Sequence, residues 1–179
     1  MKMIKTLASS SIITLALSVV FTAASLAQSS KLNDAEVASV AVTANQIDIN
    51  YAAVAKSKSK NADILKFAET MTNDHKAVIA QAIALVTKLK VTPKDNAVSK
   101  KLMADAEKTK KTLLSKSGKA FDKAYIDNEV AYHKAVISAV EGLLIPSAKN
   151  AELKALLEKV VPALKVHLSH AEMVQMNFK

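Results

Sequence analysis

Residues 126–144 read IDNEVAYHKAVISAVEGLL, and the side chains that step by threes and fours through them are Ile126, Glu129, His133, Val136, Val140 and Leu143. That spacing returns one side chain per turn to the same face, so the segment is an amphipathic α-helix. Its apolar seam carries two polar residues at adjacent turns, Glu129 and His133. Pro146, with Gly142 close by, predicts its end, because proline cannot donate the next backbone bond.

The same period recurs on both sides. One stripe is Val37, Val40, Ala44, Ile47, Tyr51 and Val54, with Asp34 as the expected cap and Lys56–Lys60 as the stop. A second is Ile64, Ala68, Met71, His75, Val78, Ala82, Leu85 and Leu89, closed by Pro93. The last is Leu153, Leu157, Val160, Leu164, His167, Ala171 and Val174, with Pro162 inside it as an expected kink. Alternating three- and four-residue steps make the narrow seams of helices packed nearly parallel or antiparallel. Residues 91–117 are too long for a plain loop, and Val98, Leu102, Ala106 and Leu113 predict a short Lys-rich helix there. The expected fold is therefore all-α: a four-helix bundle with a long helical crossover between its second and third helices, which is a ferritin-like arrangement.

Composition excludes several function classes. The chain has no cysteine and two glycines, which removes thiolate metal sites, disulfides and glycine-rich phosphate loops. All of its basic residues are lysine. Without arginine, the usual bidentate reader of guanine and phosphate, specific nucleic-acid binding is not expected. The basic excess of residues 28–179 lies in residues 88–123, which hold 11 lysines against 4 acids. Lys100, Lys101, Lys108, Lys110, Lys111 and Lys116 are its candidates for holding an anionic envelope surface, against the alternative of a solvated helix face.

The first 27 residues read as a secretory signal peptide. Lys2 and Lys5 precede an uncharged stretch with an apolar core at Ile12–Phe21, and Ser25-Leu26-Ala27 sets small residues at the −3 and −1 positions of a cleavage site. The stretch is also long enough to span a bilayer as an anchor. Its Ser/Thr content and small-residue exit favour cleavage, and no cysteine follows for a lipid anchor. The expected domain is residues 28–179, outside the cytoplasm, in a periplasm, with no transmembrane segment after cleavage.

Three of the four histidines lie on seams. Counted from the expected turns at 1.5 Å per residue, His75, His133 and His167 fall within one or two turns of a common height, with Glu129 one turn from His133. Three imidazoles and a carboxylate from different helices suit one transition metal ion: zinc, iron or copper. The alternative is a hydrogen-bonded polar layer that fixes helix register. A di-iron oxidase is not expected, since it requires Glu three residues before two of the histidines and Thr72, Val130, Leu164 and His167 stand there instead. At the C-terminus His167, His170, Met173 and Met176 step by three, which drifts around the helix, so the methionines are expected to fill the bundle end rather than ligate copper. His75-Lys-Ala-Val-Ile79 recurs as His133-Lys-Ala-Val-Ile137, which reads as one local demand met twice.

Phe67-Ala68 with Met71, Asp74 and His75, then Ser117-Gly118 with Phe121, Asp122, Ala124 and Tyr125, then Pro162, Leu164, His167 and Leu168 together carry a resemblance. Over residues 34–174 the chain resembles a bacterial secreted family of unknown function, often labelled outer membrane proteins and placed in the ferritin-like superfamily. The resemblance implies a fold and a compartment but no activity. This chain departs from it in having Gln46 and Asp48 where the first helix commonly carries Glu, and Tyr132 where Asp usually precedes the helix-three histidine. The resulting expectation is a non-enzymatic periplasmic binding or stress-protective protein with a mononuclear His-rich site. A redox enzyme with an atypical ligand set and an envelope-docking structural protein are the alternatives.

Overall fold

The computed structural model describes residues 31–178, so the expected signal peptide lies outside the described residues. The secondary structure of the described residues is all helix: α1 (Asp34–Lys58), α2 (Ala62–Lys88), α3 (Ala97–Leu114), α4 (Gly118–Ala139), a π-turn (Val140–Leu144) running into α5 (Ile145–Ser147), and α6 (Ala151–Met176). None of these helices is long and apolar enough to cross a membrane.

Asparagine starts four of the six. Asn33, Asn61, Asn96 and Asn150 each accept backbone N–H bonds at the first turns of α1, α2, α3 and α6, leaving fewer amides unpaired. Asp34, the expected cap of α1, does something else: its carboxylate accepts the backbone N–H groups of Lys149 and Asn150, tying the start of α1 to the start of α6. At α4 the cap Ser117 makes no such bond, and Gly118 takes φ +53°, a left-handed conformation that suits glycine.

Long-range hydrogen bonds fix the directions. Lys94 N–H donates to the Ala35 carbonyl near the start of α1, and Lys58 Nζ donates to the Leu114 carbonyl near its end, so α3 runs parallel to α1. Ser59 Oγ donates to Asp122 at the start of α4, so α4 runs against α1. The short turn at residues 59–61 also sets α2 against α1, which makes α2 and α4 parallel to each other. α1 packs along α2, α4 along α6, α2 against α6 and α1 against α4, so these four enclose the core while α3 covers α1.

The end of α4 differs from a simple stop. Pro146 has no N–H for the Gly142 carbonyl, and the ladder widens instead: Ile145 N–H reaches back five residues to Val140 O. α6 runs unbroken through Pro162, which lies exposed. The C-terminal methionines do not fill the core: Met173 and Met176 are 54% and 59% exposed. Three-residue steps turn each about 60° further from the seam that ends at Val174.

Candidate metal centre

α2, α4 and α6 bring His75, His133 and His167 into one layer, with ring centroids 5.2, 5.6 and 5.9 Å apart. All three are buried. The sequence spacing had placed them at one height; the structure adds which nitrogen of each ring faces the centre.

One nitrogen of each ring is already engaged. Asn45 Nδ2 donates to the Ala41 carbonyl, which turns the Asn45 oxygen toward His75 Nδ1 at 2.7 Å. An amide oxygen only accepts, so His75 Nδ1 carries the proton and Nε2 the lone pair. His133 Nδ1 donates to the Glu129 carbonyl one turn back at 2.9 Å, which frees its Nε2 in the same way. His167 is reversed: Nε2 donates to the Asp74 carboxylate at 2.9 Å, leaving Nδ1. The three remaining nitrogens, His75 Nε2, His133 Nε2 and His167 Nδ1, are buried and have no hydrogen-bond partner.

α1 supplies a carboxylate to the same place. Asp48 is fully buried, its Oδ2 is 3.3 Å from His75 Nε2 and 3.5 Å from His133 Nε2, and neither of its oxygens makes a hydrogen bond. Glu129 is fully buried beneath His133, its Oε2 3.6 Å from Nδ1. One ligand atom from each of His75, His133 and His167 lies within 4.8 Å of the others, and the same holds for Asp48, Glu129 and His133.

Burial governs the charges. It pushes the Asp48 carboxyl up to about 8. Burial, and then the charge of Asp48, raises Glu129 well above the ordinary carboxylate range. His75 is held down near 3, first by burial and then by the neighbouring His133 and His167, and His133 is held down near 4 by burial. The imidazoles of His75 and His133 are therefore neutral at pH 7, the form in which imidazole binds metal.

Asp48, Asn45 and Asp74 are the functional residues that sequence spacing missed. Of the two α1 residues singled out there, Gln46 is exposed and bonds Asn50, whereas Asp48 points inward. Asp48 also lies on a seam of its own, Ala44-Asp48-Tyr51-Ala55, because α1 is covered on two sides by α2 and α3. Tyr132 donates its hydroxyl to the Ala44 carbonyl at 2.8 Å and braces α4 on α1. His170 stands apart, its ring packed edge-on against Phe67 with centroids 5.1 Å apart.

Residues 20–174 match the family described as "Domain of unknown function (DUF4142)". The chain belongs to this family. No curated protein and no solved structure matches it. The histidine layer and its carboxylates all lie within the matched residues.

The lysine segment looks different in three dimensions. Lys101 and Lys108 both pair with Asp105 across one turn of α3, at 2.6 and 3.1 Å. Lys110 and Lys116 are half-buried, whereas Lys100, Lys101, Lys108 and Lys111 are all exposed.

Proposed function

We propose that this chain is a periplasmic, ferritin-like metal-binding protein that holds one transition metal ion, of zinc, iron or copper, and acts by binding and sequestering rather than by catalysis. The observation that carries the reading is the set of ligand atoms: three imidazole nitrogens within reach of one another and the Asp48 carboxylate beside two of them, all buried and all without hydrogen-bond partners. Leaving such atoms unpaired costs about 1–3 kcal/mol each, more for a charged group. A bound ion satisfies the whole set at once. Hydrogen bonds that fix the far nitrogen of every ring are the usual support of metal-binding histidines, and here Asn45, the Glu129 carbonyl and Asp74 supply them.

The ferritin-like part of the reading is supported by helix direction. Two antiparallel pairs, α1–α2 and α4–α6, are joined by a crossover that carries α3 back along α1. Ligands from four helices meeting at mid-height belong to that layout. Extracytoplasmic location rests on the signal-peptide pattern of residues 1–27.

The test is thermal unfolding of residues 28–179 with and without zinc, ferrous iron or copper at neutral pH. A ligand that binds only the folded chain must raise the melting temperature. His133→Ala should remove that rise. No shift with any of the three ions would overturn the reading.

A further inference from the structure

The core on one side of the histidine layer is incompletely filled. A cavity of about 130 Å³ is lined by His75, His133, His167 and Asp48; one part of it reaches Tyr51, Tyr132 and Thr109 between α1, α3 and α4, and another extends toward the end of the molecule where α1 and α6 begin. Its walls there are almost wholly alkyl: Val78 and Ala82 follow His75 on α2, Val136 and Val140 follow His133 on α4, and Val160 and Leu164 precede His167 on α6. The repeated His-Lys-Ala-Val-Ile now has a geometric reason. α2 and α4 are parallel, so each delivers an imidazole to the layer and then aliphatic side chains to the same cavity. Val78, Ala82 and Val160 are only half-buried, so this wall of the cavity is thin between α2 and α6.

A space with one polar end and one apolar end selects an amphiphile. The polar end presents lone pairs and, on the metal reading above, a cation, so it takes an anionic oxygen ligand. The apolar end takes a hydrocarbon chain of limited size: an engineered apolar cavity of roughly 150 Å³ takes benzene, about six carbons. We propose, resting on that metal reading, that the cavity binds a short unbranched alkanoate of about six carbons, its carboxylate on the ion at the histidine layer and its chain between α2, α4 and α6.

The test is calorimetric titration of the zinc-loaded chain, residues 28–179, with acetate, butanoate, hexanoate and 1-hexanol. Each buried methylene tightens binding about fourfold, so hexanoate should bind on the order of a hundredfold more tightly than acetate. It should also bind more tightly than 1-hexanol, which lacks the carboxylate. Ala82→Phe, or Val160→Phe should the first not fold, fills the cavity; it should abolish the preference for hexanoate over acetate while leaving the zinc-induced melting shift in place. Equal affinities for acetate and hexanoate, with that shift intact, would overturn this proposal alone. An absent zinc shift would overturn the metal reading and the proposal with it. Hexanol matching hexanoate would remove the carboxylate from the ion and overturn the assignment of the polar end.

Discussion

The two halves of the molecule on either side of the histidine layer are built differently. Toward the end of α1 the core contains Phe67, Phe121, Tyr51 and Tyr125, with Phe67 edge-on to Tyr125 and Tyr51 edge-on to Tyr132. Toward the start of α1 it contains Leu, Val and Ile and no aromatic ring. The alkyl-walled part of the cavity lies in the aliphatic half, and in the aromatic half the cavity meets only its margin, at Tyr51, Tyr132 and Ala106. Rings interlock with few contacts to spare, whereas small branched chains on four separate helices leave gaps when the helices stand apart.

The largest expected effect breaks the packed half. Phe67 is fully buried between Tyr125, His133 and His170, so Phe67→Ala should cost about 3–5 kcal/mol in denaturant unfolding. Leu157→Ala in the aliphatic half should cost about 2 kcal/mol, the low end for such a change, because it enlarges a space already open. Equal costs would mean that the two halves are packed alike.

The layer between them should respond to pH in a direction its burial dictates. Without metal, Asp48 keeps its proton in the folded chain up to about 8 while the unfolded chain releases it near 3.8, so Asp48 costs stability as pH rises through that window. His75 and His133 act oppositely. Unfolded they take up protons below 6.5, folded only near 3 and 4, so their contribution is lost as pH falls below 6.5. Above 6.5 only the carboxyl contribution still changes, and apo stability should fall by on the order of 1–2 kcal/mol between pH 6.5 and 8. Asp48→Asn should flatten that slope. Zinc should flatten it too, because the ion binds the carboxylate and displaces the proton that the folded apo chain would keep. The same burial moves the onset of metal loss: affinity should decline below about pH 8 as Asp48 protonates, not only below pH 6 where exposed imidazoles titrate.

The smallest effect lies outside both halves. Reversing Lys100 and Lys111 to Glu should change stability by less than about 0.5 kcal/mol. If α3 docks on an anionic surface, the same pair should lower retention on anionic vesicles at low salt. Unchanged retention would leave the segment a solvated face.

Much of this was legible in the sequence, for reasons that differ by residue. The stripes read through α2, α4 and α6 name only part of each buried face, missing Phe67, Val86, Tyr125, Val130, Ile137 and Val161, but they do carry His75, His133 and His167, which could be set at one height by counting turns. α1 is buried on more than one face, and a single stripe through Ile47 and Tyr51 put Asp48 beside the seam when it lies in the centre. Asn45 and Asp74 were out of reach because their role depends on which nitrogen of a neighbouring ring they meet. Lys101 and Lys108 read as free charges because Asp105 pairs with both only across a formed turn. The cavity had no sequence signal beyond the repeated His-Lys-Ala-Val-Ile, whose meaning needed the parallel directions of α2 and α4.

The most direct measurement of the central claim is metal content per chain after zinc loading and exhaustive dialysis, by elemental analysis, for the wild type, Asp48→Asn, His133→Ala and His170→Ala. The account predicts one zinc per chain in the wild type and in His170→Ala, and a loss of at least tenfold in affinity in the other two. Zinc retained equally by all four, or by none, would contradict it.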